Sequence, residues 1–178
     1  MTSENRHSVV SFVLLCLRID GVPHFLLRHH RKWGDWSLAG GHLETNDGGS
    51  WAAAAVREVH EELPPLAHAK DFVLVPIFSR PLSWGPIASR SATNQPTTYE
   101  AQFFAMELLA DPSRTFAQMD VHDLRLVSQS DLERAAMPTP LSTLRERLGG
   151  GLTSVPLGWA GSLRRSDLPM QLFEPISA

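Results

Sequence analysis

The segment 51–63 constrains the fold more than any other part of this 178-residue chain. Its apolar residues recur at helical spacing, so they form one stripe that can pack on a core. The stripe consists of Ala52, Val56, Val59 and Leu63. Two prolines follow and end the helix, because proline lacks an amide donor and disfavours helix in the residue before it. A chain of this length can supply a single core that covers such a helix.

The same helix carries a second, acidic side. Glu58, Glu61 and Glu62 fall within an arc of about 100° on a helical wheel. Like charges at this spacing repel by a few tenths of a kcal/mol per pair, roughly, and a purely solvated face would usually mix the signs. Arg57 lies at the edge of the arc, whereas His60 lies away from it. A hard divalent cation such as Mg²⁺ would relieve the repulsion. The alternative is an acidic helix that binds no metal.

Charge and cysteine content exclude several classes of protein. A net charge of −3 and a pI near 6.2 argue against a protein whose main task is to neutralise nucleic-acid phosphates. Cys16 is the single cysteine, which excludes an internal disulfide and multi-cysteine zinc or iron–sulfur sites. The most apolar stretch, 9–17, is too short to span a bilayer and reads as a buried strand. We therefore expect a cytoplasmic protein without a membrane segment.

Strands, loops and short helices are predicted around the acidic helix. Apolar runs predict strands at 8–19, 24–30, 71–78, 98–106 and 124–127. A stretch rich in Pro, Ser, Gly and Thr, 79–96, reads as a long surface loop that holds Trp84. Ser130 and Thr139 are expected to cap two short helices, the second of which stops at Gly149. Residues 150–178 are expected to form an irregular extension docked on the domain.

The residues before the helix complete a longer pattern. Gly40 and Gly41 follow residues 37–39, which we interpret as a short strand, and glycine lets the backbone approach a ligand closely there. With them, the segment 40–63, GGHLETNDGGSWAAAAVREVHEEL, resembles the signature of the Nudix hydrolases, G-x5-E-x7-R-E-U-x-E-E-x-G-U, in which U is bulky and apolar. Residues 57–62 match R-E-U-x-E-E in full. Gly41 and Asp47 match G-x5-E with aspartate in place of glutamate, and Glu44 fits the common G-G-x-x-E start.

Two positions depart from the signature. The stretch between its first acidic residue and its arginine is two residues longer than the pattern, and we place the insertion at Gly48 and Gly49. Pro64 stands where the final glycine is expected. The insertion lengthens a loop that precedes the helix, so the three helix glutamates keep their positions.

The resemblance implies a fold and a reaction. The fold is α/β, an α/β/α sandwich with a mixed β-sheet and a signature loop–helix–loop, here assigned to residues 1–149. The reaction is Mg²⁺- or Mn²⁺-dependent hydrolysis of a nucleoside diphosphate linked to another moiety, by water attack at phosphorus. Carried over by position, Glu58 and Glu62 would be the principal metal ligands, with Glu61 assisting. Gly41 would add a backbone carbonyl, and Arg57 would orient acidic groups.

The general base is left open by the residues themselves. Glu100 on the predicted strand 98–106 is one candidate, and one of the helix glutamates is another. Asp120 and Asp123 are weaker candidates. Glu100 could equally be a solvent-facing strand residue.

The substrate is also left open. Trp33, Trp36, Glu44 and Asp47 are candidate substrate contacts, although loop tryptophans often pack the edge of a domain. We expect a small nucleotide-derived substrate, with no membrane or nucleic-acid partner. The resemblance allows a homodimer, because dimers are common in the family. No motif specifies ADP-ribose, NADH, coenzyme A or dinucleoside polyphosphates. The competing function is a non-catalytic module that binds a nucleotide or a protein.

Overall fold

The computed structural model describes residues 5–89, 92–93, 95–135 and 137–176. Within these residues the chain forms nine strands and four α-helices. The strands are β1 (Arg6–Leu14), β2 (Cys16–Ile19), β3 (Val22–His30), β4 (Asp35–Ser37), β5 (Ala39–His42), β6 (Phe72–Pro76), β7 (Leu82–Ser89), β8 (Gln95–Leu108) and β9 (Leu124–Ser128). The helices are α1 (Trp51–Glu62), α2 (Pro112–Ala117), α3 (Gln129–Arg134) and α4 (Thr139–Arg147). No helix in the described part of the chain is long and apolar enough to cross a membrane.

The strands form two sheets. In the first sheet the strand order is β5-β1-β8-β6. The long strand β8 has β6 and β7 on the same edge: β7 pairs with its N-terminal half and β6 with its C-terminal half. β1 and β8 run parallel, whereas the remaining pairs are antiparallel. The second sheet is antiparallel, in the order β2-β3-β4, with β9 also paired to β3. The predicted α/β fold with a mixed sheet is therefore confirmed.

The core has two parts, one on each face of the first sheet. Adjacent residues of a strand point to opposite faces, and in β8 Phe104 packs with Val59 of α1 while Phe103 packs with Leu141 of α4. Burial of a side chain of this size stabilises the fold by about 1.5–3 kcal/mol. Helices thus cover both faces of the sheet, which is the predicted sandwich.

The helix α1 forms where it was predicted, but its buried side is rotated from the predicted stripe. Ala52 is exposed, whereas Ala54 and Ala55 are fully buried. Val59 and Leu63 are buried as expected. Glu58 lies outside the apolar stripe but is itself buried. The buried side of the helix therefore extends from the apolar stripe toward Glu58.

Other predictions of local structure are wrong in detail. The cap of α4 is Pro138 and not Thr139, which is the first residue of the helix. The expected strand 8–19 is interrupted at Leu15, where the chain passes from the first sheet to the second. The expected loop 79–96 contains the edge strand β7, whose mostly exposed and proline-containing sequence hides the strand pattern. The cap of α3 is Ser128, whose side chain accepts a hydrogen bond from the Asp131 amide, and not Ser130.

The C-terminal residues pack on the sheets through short 3-10 turns. Leu163 bridges to Ile19 at the end of β2, and Leu168 and Leu172 are buried in the core. Gly158 lies between the two sheets, where its amide donates to the Cys16 carbonyl and its carbonyl accepts from the Leu108 amide, both at 2.7 Å. The segment therefore contributes to the core although it has little regular structure.

Candidate active site

The loop before α1 is tied to the helix by a two-pronged ion pair. Arg57 donates from Nε to Asp47 Oδ1 and from Nη2 to Asp47 Oδ2, each at 3.1 Å. These hydrogen bonds hold the pKa of the buried Asp47 carboxyl below its usual value. Gly48 and Gly49 form the turn that follows, with φ values of 58° and 77°. The two residues inserted relative to the signature therefore lie in this turn, and the Asp47–Arg57 ion pair still forms.

Arg57 also connects the loop to the acidic side of the helix and to β5. Its Nη1 donates to Glu58 Oε1 at 2.8 Å and to Glu61 Oε1 at 3.4 Å, and its Nη2 donates to the His42 carbonyl at 2.9 Å. Burial raises the pKa of Glu58, and the hydrogen bond from Arg57 opposes the shift. Arg57 is thus the residue that holds loop, helix and strand in one arrangement.

Glu58 lies directly against the backbone of β5. A Cβ atom placed on Gly41 would come within 2.3 Å of Glu58 Oε1, so only glycine leaves room for this carboxylate. The preceding Gly40 has φ of 148°, and a Cβ there would lie 2.2 Å from the Ser11 carbonyl of β1. Gly41 therefore leaves space for the Glu58 carboxylate, whereas Gly40 leaves space for the neighbouring strand β1.

Glu62 is held on another side by a residue that sequence reasoning missed. Its Oε2 accepts from the Gly40 amide at 2.9 Å, and its Oε1 accepts from Arg28 Nη1 at 2.7 Å. Burial raises the pKa of Glu62 to about 7, against the opposing effects of these two donors. Arg28 is on β3, directly after the apolar residues 25–27 and before two histidines, and nothing in this local sequence marks it as part of the site. Its partner on α1 could not be read from spacing.

The donor set fits a hard divalent cation in its chemistry. Three carboxylates and a glycine carbonyl supply only oxygen, which is what Mg²⁺ prefers. Across the described residues, however, no three His, Cys, Asp or Glu side chains are arranged to hold a metal ion. Glu58 and Glu61 turn toward Arg57, and Glu62 turns toward Arg28. The arginines thus hold the carboxylates in hydrogen bonds in the absence of an ion.

A cavity of about 600 Å³ adjoins the same two glycines. Gly40 and Gly41 form part of its wall, and much of the remaining wall is aromatic. The aromatic residues are Phe12, Trp33, Trp36, Trp84 and Tyr99. The rings of Trp84 and Tyr99 are stacked with centroids 5.6 Å apart. The glycines of β5 thus contact the carboxylates of α1 and also line an aromatic cavity.

A family model described as NUDIX domain matches residues 7–140. The chain belongs to the NUDIX domain family. This confirms the predicted family and enzyme class, a Nudix-type pyrophosphohydrolase that acts on nucleotide pyrophosphates. No curated protein matches the sequence.

Solved structures with the same fold have low sequence identity to this Nudix chain. An Ap4A hydrolase from C. elegans is 18% identical, with a TM-score of 0.55, covering 80% of this chain and 96% of its own. A NUDIX hydrolase described as putative, from Listeria monocytogenes, is 19% identical, with a TM-score of 0.51, covering 79% and 94%. Shewanella oneidensis NrtR is 18% identical, with a TM-score of 0.50, covering 79% and 62%. At these identities the similarity establishes the fold.

The tryptophans predicted as substrate contacts in the Nudix chain lie together. Trp33 and Trp36 both line the cavity, and Trp84, a weaker candidate from sequence, lines it as well. The indole nitrogens of Trp36 and Trp84 are buried and have no hydrogen-bond partner among the described residues.

Other predicted residues lie outside this cavity. Glu44 is exposed, with its carboxylate 3.8 Å from Arg57, and Asp47 is occupied by the same arginine. Glu100 is partly exposed and forms an ion pair with His7 at 3.5 Å. Asp123 accepts a hydrogen bond from an arginine of the β3–β4 turn at 2.6 Å. The structure therefore brings none of these four carboxylates into the cavity wall.

Proposed function

We propose that this Nudix chain is a Mg²⁺- or Mn²⁺-dependent hydrolase that cleaves a pyrophosphate bond in a nucleoside diphosphate linked to another moiety. One observation carries the proposal: the Gly40–Gly41 backbone contacts helix carboxylates and also lines an aromatic cavity. A nucleotide whose base occupies the cavity would extend its phosphates along these glycines toward the carboxylates. The scissile phosphorus and the acidic oxygens would then meet at β5.

The acidic residues would hold the ion. Glu58, Glu61 and Glu62, with the Gly41 carbonyl, are the candidate ligands, since all offer oxygen and the carboxylates share one rigid helix. A bound divalent cation supplies charge neutralisation at the phosphoryl oxygens and a more nucleophilic water. Arg57 and Arg28 keep the carboxylates in place before the ion binds, and release them to it.

A helix glutamate is the better candidate for the general base. A base must reach the attacking water near the scissile bond. The glutamates of α1 surround the place where the ion would hold the attacking water, and one that does not coordinate the ion would accept the proton. Glu100 lies on β8, away from this helix, with its carboxylate 3.5 Å from His7 Nε2. We therefore assign the base to the helix and not to Glu100.

A hydrolysis panel with and without the cation tests the proposal. It contains nucleoside triphosphates, ADP-ribose, nucleotide sugars, NADH, coenzyme A and dinucleoside polyphosphates, each with Mg²⁺ and with Mn²⁺. We expect turnover of one class by the wild type, at least a hundredfold loss in Glu62→Gln, and no change in Glu146→Gln. Glu146 is an exposed residue of α4 and serves as the matched control.

Thermal stabilisation by the cation gives a readout that does not need a substrate. A ligand that binds only the folded state raises the melting temperature, so Mg²⁺ should raise that of the wild type more than that of Glu62→Gln. Full activity in Glu62→Gln would contradict the assignment of this residue. Nucleotide binding without any turnover would favour the binding module over the enzyme.

A further inference from the structure

The end of the C-terminal segment forms part of the cavity wall. Ile176 lines the cavity, although it is far in sequence from the lining residues of β4, β5 and β7. Its half-buried side chain packs with the core part that includes Phe103 and Leu141. The cavity is therefore complete only when residues 174–176 are in place.

A single buried arginine connects this segment to the cavity. Arg125 on β9 is 9% exposed, and its Nη2 donates to Glu174 Oε2 at 2.6 Å. Its guanidinium also lies 5.1 Å from the ring centroid of Trp36, within the range of a cation–π contact. Its Nη1 donates to the His122 and Leu124 carbonyls at 2.9 and 2.7 Å, which fixes its direction. Arg125 thus holds one aromatic wall and the tail together.

The turn just before this segment is anchored independently. Leu172 is fully buried, and the guanidinium of Arg165 lies 4.4 Å from the ring centroid of Phe173. Past Phe173 the Glu174 side chain pairs with Arg125, two residues before Ile176. Loss of this contact would leave the turn docked and release only the wall residue.

We propose that Ile176, positioned by the Arg125–Glu174 pair, determines the size of the ring system that the cavity accepts. This rests on the proposed function, in which the cavity holds the base of the nucleotide. A side chain that closes an apolar wall excludes a larger ring and improves contacts with a smaller one. Changes of one or a few carbons in such a wall typically alter discrimination about tenfold or more. Ile176 therefore sets the preference between purine and pyrimidine compounds.

The test compares substrates that differ only in the base. For ADP-glucose and UDP-glucose, or the pair of the class that the panel identifies, the ratio of purine to pyrimidine kcat/KM is measured. We expect the ratio to rise at least about fivefold in Ile176→Ala and to fall in Ile176→Trp. A structural defect would move both variants in the same direction. Glu174→Ala should raise the ratio as Ile176→Ala does, and Glu174→Gln should raise it less, because the amide can still accept from Arg125.

The matched control is Met170→Ala, in the same tail but 61% exposed and outside the cavity wall. It should leave the ratio unchanged. An unchanged ratio in both Ile176 variants would overturn the proposal. If the wild type hydrolyses nothing, the proposed function fails, but calorimetric binding of ADP and UDP to the same variants still gives the ratio. Equal effects of each Ile176 variant on the binding of ADP and UDP would then overturn the inference on its own.

Discussion

Replacing Gly41 with alanine should reduce catalysis much more than stability. The added Cβ would lie 2.3 Å from Glu58 Oε1 and 2.7 Å from its Cδ, so the carboxylate must rotate away. Glu58 would then lose the 2.8 Å hydrogen bond from Arg57. A hydrogen bond to a charged group is worth about 1.5–3 kcal/mol. The lower entropy of the unfolded alanine chain offsets about 0.4–1 kcal/mol of this loss.

Gly41→Ala should therefore lower the free energy of unfolding by about 1–2 kcal/mol. In a chain of this length this lowers the melting temperature by about 2–8 °C. The carboxylate that we place at the reaction centre is displaced as well. A misplacement of about 1 Å can cost about a hundredfold in rate. We thus expect hydrolysis to fall at least about a hundredfold while the fold is retained.

Gly40→Ala provides the contrast from the neighbouring position. There the Cβ would lie 2.2 Å from the Ser11 carbonyl and 2.9 Å from the Phe12 Cα, which are backbone atoms that cannot rotate away. The φ of 148° adds strain for any L-residue other than glycine, about 1–3 kcal/mol. Separation of β5 from β1 then brings the cost above about 3 kcal/mol, or a fall of more than about 6 °C.

The assay is thermal unfolding by circular dichroism, paired with turnover of the substrate that the panel identifies. Gly41→Ala should keep most of the stability and lose activity, whereas Gly40→Ala should lose stability. Wild-type activity in Gly41→Ala would refute the argument that the close approach of Glu58 to β5 matters for catalysis. Equal loss of stability in both variants would refute the distinction between carboxylate and backbone contacts.

Two further predictions concern pH and the C-terminal segment. Because burial raises the pKa of Glu62 from 4.5 to about 7, its contribution to stability is complete below its unfolded pKa and is lost as pH rises through 7. In denaturant unfolding without divalent cations, stability should therefore fall from roughly pH 5 to 8 more steeply in the wild type than in Glu62→Gln; parallel profiles would contradict this. Gly158→Ala places a Cβ 2.3 Å from Leu15 Cδ1 and 2.5 Å from the Met106 carbonyl, so it should cost about 1–3 kcal/mol. Gly151→Ala, with 3.7 Å to its nearest atom, should leave the melting temperature unchanged, and equal melting temperatures for both variants would show that the segment packs loosely.

Features that depend on neighbours in the chain were predictable from sequence. The helix α1, its acidic side and the pattern from Gly40 to Glu62 all follow from spacing, because helical periodicity brings residues three and four apart to one side. The family pattern implied that Arg57 orients acidic groups, and the structure identifies Asp47 as a partner through two hydrogen bonds. The edge strand β7 was missed because its exposed residues carry no alternating apolar signal.

The sequence by itself determined the family, the α/β class and the helix that carries the candidate ligands, since each is encoded in consecutive residues. Only the tertiary structure decided what surrounds that helix. Arg28 reaches Glu62 from β3, and Ile176 reaches the cavity from the far end of the chain. Such contacts depend on strand register and on the packing of two sheets, which join residues distant in sequence. The reaction class can therefore be predicted from a short stretch of consecutive residues, whereas the shape of the substrate cavity depends on the whole fold.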